Sequence, residues 1–97
     1  MKQNTYQVRI EQISDKQGRA VKLPALSFQA RNHDDLFNLV EQIKNRGLLN
    51  ADDSAAFAVG LKLFGEILLE NRAQPFFKEL IPHMGAIMQV IKGTKPD

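Results

Sequence analysis

The sequence contains no cysteine, and this absence excludes several kinds of protein and site. Disulfide scaffolds, cysteine nucleophiles and zinc sites built from thiolates are ruled out. Because small secreted domains usually depend on disulfides, the chain is expected to work in the cytosol. The N-terminal residues MKQNTYQVRI also lack the apolar run of a signal peptide, which supports a cytoplasmic location.

Long apolar runs and the motifs of common active sites are missing as well. The most apolar stretch, residues 55–69, is interrupted by Lys62 and Glu66, and it is shorter than the roughly 18 residues that span a membrane. No glycine-rich phosphate loop, serine-centred elbow, HExxH motif or paired-carboxylate cleft is recognisable. These absences predict a soluble protein that is not an enzyme and has no cofactor.

The length sets the scale of the fold. Ninety-seven residues with an ordinary hydrophobic share of 43% are enough for one folded domain, so we predict a single domain over residues 1–97. A chain of this size buries only about 60–70% of the surface that its unfolded form exposes, so a partner subunit would add stability. The last residues, 93–97, are expected to be a frayed tail.

Two segments near the N-terminus alternate between apolar and polar residues, as strands with one buried face do. The residues predicted to face inward are Tyr6, Val8, Ile10, Leu26, Phe28 and Ala30. Ile13 falls out of this phase, which marks a strand end or bulge. Asp15 and Gly18 suit a turn, and Pro24 limits the start of the second strand. We predict an antiparallel hairpin over residues 5–31.

The next segment changes to helical spacing and predicts a helix over about residues 34–46. Asn32 or Asp34 would cap it, and Asp34 and Asp35 would lie in its first turn, where acidic side chains are favoured. Gly47 is a natural C-terminal stop for this helix.

A second helix, over about residues 52–72, is apolar on most of its circumference. An ordinary surface helix has one apolar stripe, so we expect other polypeptide, from this chain or from a second copy, to enclose this one. Phe57, Leu61, Phe64 and Leu68 are the residues expected to be covered. Gly60 and Gly65 each cost about 1 kcal/mol of helix propensity relative to alanine. Close approach of a neighbouring backbone would explain them.

A third helix is predicted over about residues 75–92, with Pro75 in its first turn. Its apolar stripe contains Phe76, Phe77, Leu80, Ile81, Met84, Ile87, Met88 and Ile91. Pro82 lies nearly opposite Met84, and the stripe continues in phase through the proline. This favours one helix kinked at Pro82 over two helices that meet there. The element order is therefore ββααα, an α+β fold.

Three polar clusters are candidate sites. Glu79 and His83, one helical turn apart, would make a fragment of an acid–base or metal site. His33, Asp34 and Asp35 would make another. A metal needs three or four ligands, so we interpret His83 as the edge of an apolar stripe and the two aspartates as a helix start. No catalytic, cofactor-binding or metal residues are assigned.

The third cluster is basic. Residues 1–31 hold six basic and two acidic residues, a net of +4, whereas residues 32–97 hold seven basic and nine acidic, a net of −2. Such asymmetry can mark a nucleic-acid face, here formed by the side chains Arg9, Arg19, Lys22 and Arg31. With so few charges, plain solvation of the surface is the simpler explanation.

The stretches YQVRIEQI, LSFQARNHDDLFNLVEQI and AFAVGLKLFGEILLENR follow one another in a characteristic order. In pattern and order the chain resembles a family of short uncharacterised bacterial proteins of similar length, and the likeness covers nearly all of it. The resemblance implies a compact α+β bacterial domain. It implies no activity and no functional residues.

Together these observations predict a non-enzymatic interaction or accessory module of the bacterial cytosol, with weak nucleic-acid binding by the basic hairpin as the alternative. Two strands alone leave two open edges. Pairing with a second copy would relieve this, so we expect a homodimer, with an unidentified protein as a further possible partner. Nucleic acid is the less favoured partner, and no membrane partner is expected.

Overall fold

The fold is known from a computed structural model, which describes residues 2–93. The elements occur in the order β1 (Asn4–Ile10), β2 (Leu26–Asn32), α1 (Leu36–Asn45), α2 (Ala51–Glu70) and α3 (Pro75–Lys92). The predicted ββααα order is confirmed. The chain divides into two compact units, residues up to 35 and residues from 36 onward. Of the predicted tail, residues 94–97 lie outside the described part of the chain.

Strands β1 and β2 form an antiparallel pair in which Tyr6 is opposite Ala30, Val8 opposite Phe28 and Ile10 opposite Leu26. The predicted apolar residues therefore share one face, because side chains alternate along a strand. β1 ends at Ile10, before the residue at which the alternation breaks. The sequence pattern thus predicted which residues share a face, and the strand ends three residues before Ile13, where the strand end or bulge was expected.

The connection between the strands is closed by the turn predicted at Asp15 and Gly18. Asp15 Oδ1 accepts hydrogen bonds from the backbone N–H groups of Gln17 and Arg19, both at 2.9 Å. Gly18 has a φ of +82°, a region that favours glycine. The bond from the Arg19 N–H is the main reason that the pKa of Asp15 lies below its ordinary value.

The apolar face of the hairpin is buried only at one end. Tyr6, Val8 and Ala30 are half-buried, and Asn32, on the same face, is fully buried. At the other end Ile10 and Leu26 are more than half exposed. Phe28, on the same face, is 39% exposed. The expectation that Ile10, Leu26 and Phe28 are buried is therefore wrong.

Helix α1 begins at Leu36, about two residues later than predicted. Asp34 and Asp35 therefore precede the helix and do not lie in its first turn. Asn32 Oδ1 accepts the Asp34 N–H at 2.9 Å, so it closes a turn ahead of the helix. The C-terminal stop was predicted correctly, since Gly47 has a φ of +73° and its N–H bonds the Lys44 carbonyl.

Helix α2 begins at Ala51, where the sequence analysis missed the capping residue. Asn50 has extended backbone angles, and its side-chain oxygen accepts the Asp53 N–H at 2.7 Å. Asp52 and Asp53 then occupy the first turn, where the helix dipole favours negative charge. A capping asparagine followed by two acidic residues is a strong start signal.

Asn50→Ala is expected to lower the free energy of unfolding by about 1 kcal/mol, because the Asp53 N–H loses its acceptor. Urea denaturation followed by circular dichroism measures this change. Asn50→Asp is the matched control and should retain nearly all of the stability, since a carboxylate oxygen accepts the same bond. Equal destabilisation by both substitutions would contradict the capping role.

Helix α3 is a single helix that contains Pro82, so the predicted continuity through the proline is confirmed. Pro75 occupies its first turn. Gly93 caps its end with a φ of +67°. None of the helices in residues 2–93 is long and apolar enough to cross a membrane.

The buried part of the helical unit is small. Helix α2 packs against α1 and α3. The hydrophobic residues that are buried here are Leu36, Ile43, Ala58 and Leu68. The polar residues of α2 that are buried are Ser54 and Glu66. Much of the apolar content predicted for the core is therefore left at the surface.

Candidate interaction surface

One side of α2 is buried and the opposite side is open. At 100° per residue, the buried residues Ser54, Ala58, Glu66 and Leu68 fall on one side of the helix. The other side carries an arc about 100° wide in which every residue between positions 56 and 67 is apolar and exposed. We call this arc the α2 stripe, and it consists of Ala56, Phe57, Gly60, Phe64 and Ile67.

The expectation that α2 is enclosed therefore holds for only half of the helix within one chain. Leu68 is 1% exposed, as expected for a core residue, and Leu61 is half-buried. Phe57 and Phe64, in contrast, are 42% and 51% exposed. The described part of a single chain does not cover these two rings.

The two glycines of α2 have different surroundings. A Cβ added at Gly65 would lie 3.6 Å from Met84 Cε of α3, an ordinary side-chain contact. A Cβ added at Gly60 would meet no described atom within 4 Å. The predicted close approach of a neighbouring backbone is therefore wrong for both within one chain, and Gly60 forms a shallow gap in the α2 stripe.

Helix α3 is the least covered element of the helical unit. None of its 18 residues, all of which the structure describes, is buried. The side that faces inward is half-buried and carries Phe77, Leu80, Ile81, Met84, Met88 and Ile91. Phe76, Ile87 and Val90 are exposed beside it, Val90 by 80%. A helix with so wide an apolar surface normally lies between other elements.

The exposed large apolar side chains of α2 and α3 make up a sizeable surface. Leu69 is left out of this set, because at 100° per residue it lies on the opposite side of α2 from the α2 stripe. We call the remaining side chains the open apolar surface, which consists of Phe57, Phe64, Ile67, Phe76, Ile87 and Val90. With roughly 150–200 Å² for each such side chain, the set leaves on the order of 600 Å² open. This is close to the roughly 800 Å² that each partner contributes to a standard protein interface.

Glu79 and His83, the predicted polar pair, lie on the exposed part of α3. Within residues 2–93, no group of three or more His, Cys, Asp or Glu side chains is placed to hold a metal ion. The structure therefore brings no third ligand to this pair.

His33, Asp34 and Asp35 are held by the hairpin. His33 Nε2 lies 3.6 Å from Asp34 Oδ2. The Asp34 backbone carbonyl accepts the Tyr6 hydroxyl at 3.0 Å and the Asn4 side-chain amide at 3.2 Å. These bonds tie the end of the second strand to the start of the first, so the segment has a structural role.

The four basic residues of the hairpin do not converge on one patch. Arg9 pairs with Glu11 at 3.2 Å, and Arg19 pairs with Asp15 at 3.0 Å. Arg31 is opposite Thr5, four residues along the strand from Arg9, a separation of about 13 Å. Because two of the four cations face carboxylates, little unpaired positive charge is concentrated for a phosphate backbone.

Lys22 lies elsewhere, at an open hollow of about 590 Å³ on the hairpin loop. Its other lining residues are Glu11, Gln12, Ile13, Val21, Leu23 and Pro24. Ile13 and Leu23 are largely exposed, so the hollow is a shallow apolar depression with a mixed polar rim.

Sequence reasoning identified α2 as too apolar for a surface helix, but it did not find which side stays open. The spacing of four residues marks the open side of α2. Phe57, Gly60, Phe64 and Ile67 recur at intervals of three, four and three residues, the spacing of a seam between paired helices.

Comparison with known proteins finds one matching family and a similar solved structure. The sequence model of DUF3861, described as a domain of unknown function with a solved structure, matches residues 4–93. A crystal structure of a protein of unknown function from Pectobacterium atrosepticum is 35% identical, with a TM-score of 0.78, and the match covers 96% of this chain and 100% of that one. Comparison with curated proteins gives no match.

Proposed function

This chain belongs to the DUF3861 family of unknown function, and from its own surface we propose that it is a non-enzymatic interaction module that works as a homodimer in the bacterial cytosol. The open apolar surface of α2 and α3 is the interface in this proposal. Contiguous apolar patches larger than a few hundred Å² are uncommon on monomeric proteins, and they often mark binding sites.

The observation that carries the proposal is the incomplete cover of α3. An 18-residue helix with an apolar stripe along its whole length has no buried residue. Burial of apolar surface contributes about 25 cal/mol per Å². Since helices in proteins gain most of their stability from packing of an apolar face, a partner that covers the exposed side chains of α3 would add to its stability.

A second copy is the occupant that the surface itself favours. The exposed large side chains are uncharged, and the net charge of the whole chain is only +2, so two copies approach each other with little repulsion. A two-fold interface also covers the same patch on both subunits, so every molecule is protected by one kind of contact.

The cellular setting rests on weaker but consistent observations. A relative that is 35% identical comes from a bacterium. The chain has no cysteine to stabilise a small domain outside the cell. The non-enzymatic role rests on a separate observation. Among the described residues, no cluster provides the three or four ligands that a metal ion needs.

Ile87→Lys combined with Val90→Lys is expected to convert the dimer to a monomer. Both side chains are exposed in the single chain, so the fold should survive, whereas a lysine ammonium buried in an apolar interface costs several kcal/mol. Sedimentation velocity over a concentration series measures the change.

The matched control is Gln89→Lys, an exposed polar position between the two on the other side of α3. It should leave the dimer intact. Survival of the dimer in the double-lysine variant would contradict the participation of α3 in the interface.

A further inference from the structure

The α2 stripe has a symmetry that the homodimer proposal does not use. Phe57 and Ile67 are each five residues from Lys62, and Gly60 and Phe64 are each two residues from it. If two copies of α2 lie antiparallel about this midpoint, Phe57 faces Ile67 of the second copy, and Gly60 faces Phe64 of the second copy.

This pairing matches large side chains to small ones. The Phe64 ring is 51% exposed, and the space above Gly60 holds no described atom within 4 Å of a built Cβ. The Phe64 ring of each copy therefore meets the open space above Gly60 of the other copy. A parallel pair would instead place Gly60 against Gly60 and Phe64 against Phe64, which leaves a void in one layer and crowds the next.

The flanking positions agree with the antiparallel arrangement. Asp53 and Asn71 are also equidistant from the midpoint, so a polar layer ends the apolar seam at each end. Beside the seam of this pair, Leu63 would lie near Leu63 of the second copy. Ala56 would lie near Glu70 of the second copy. In the antiparallel pair that carboxylate also lies near a helix N-terminus, where negative charge is favoured.

We infer that a second copy of this chain docks on the α2 stripe by antiparallel helix pairing, with Phe64 of each copy filling the gap at Gly60 of the other. The inference rests on the proposed homodimer and adds its geometry. The α2 stripe supplies the centre of the interface, with the exposed rings of Phe57 and Phe64 as its largest side chains.

Cross-linking tests this geometry. The natural chain has no cysteine, so Ala56→Cys and Glu70→Cys, both at exposed positions, each introduce a single thiol. In the antiparallel pair the two sites lie side by side, whereas two copies of the same site lie about 18 Å apart along the helices for Ala56 and about 24 Å apart for Glu70. A short bis-maleimide should form covalent dimers in a mixture of the two variants. It should form none when either variant is present by itself.

The results separate this inference from the homodimer. Linking of Ala56→Cys to itself, or a dimer by sedimentation with no link in the mixture, would overturn the antiparallel geometry alone. A monomer by sedimentation in all of these samples would overturn the homodimer and the geometry together.

Gly60→Leu tests the size match. In the monomer the new side chain enters open space and raises helix propensity, so thermal stability at low concentration should not fall. In the dimer it collides with Phe64 of the second copy, and overpacking of this kind should raise the dimer Kd roughly ten- to a hundredfold. Adding Phe64→Ala should restore most of the affinity. An unchanged Kd for Gly60→Leu, or no rescue by Phe64→Ala, would contradict the pairing.

Discussion

Phe64→Glu is expected to abolish the dimer while the monomer keeps its helical fold. The ring is half exposed in the single chain, so a carboxylate there stays hydrated in the monomer. In the proposed interface two such carboxylates become buried without partners, which costs several kcal/mol and should raise the dimer Kd by at least roughly a hundredfold. Sedimentation velocity and circular dichroism measure association and fold separately.

Gln42→Glu is the control for this substitution. It makes the same change in net charge at an exposed polar position of α1. The control should sediment as a dimer. If Phe64→Glu also sediments as a dimer with an unchanged Kd, the α2 stripe is not the interface.

Leu68→Ala is expected to give the largest loss of stability of any single truncation in α2. The side chain is 1% exposed and is the largest fully buried apolar one in the helical unit. Truncation of a buried leucine costs about 2–5 kcal/mol, because transfer energy is lost and a cavity remains. Urea denaturation at a protein concentration low enough for both proteins to be monomeric measures the loss without a contribution from association.

The neighbouring residue provides the comparison. Leu69→Ala removes the same atoms from a side chain that is 42% exposed, so the loss should be clearly smaller, because less apolar area is buried and no enclosed cavity is left. Equal losses for the two substitutions would mean that Leu68 is not the centre of the helical core.

The elements could be predicted from the sequence because each has a local cause. Alternation of apolar residues predicted β1 and β2 and the residues that share a face, whereas the register is known only from the structure. Proline and glycine gave the start of α3 and the ends of α1 and α3. Helix starts were less well predicted, because several adjacent polar residues can cap and only the folded backbone selects Asn50.

Burial was predicted less well, because periodicity shows which side of an element is apolar and not whether that side is covered. Ile10 and Leu26 continue a clean alternation, yet both are more than half exposed. Gly60 was expected to face a close neighbour and faces open space. For α2 the composition predicted that other polypeptide encloses the helix, but one chain covers it on only one side.

The candidate polar sites show the same limit. Residue type and spacing placed Glu79 beside His83 correctly on one helix, but a site depends on what other elements bring to it. The basic residues of the hairpin were counted as one group, whereas carboxylates two and four residues away pair with Arg9 and Arg19. Only the folded chain shows these partners.

Sedimentation velocity of the unmodified chain, from low to high micromolar concentration, tests the central claim most directly. The open apolar surface predicts a species with the mass of two chains that predominates at high concentration and dissociates on dilution. A single species with the mass of one chain across the whole range would contradict the account.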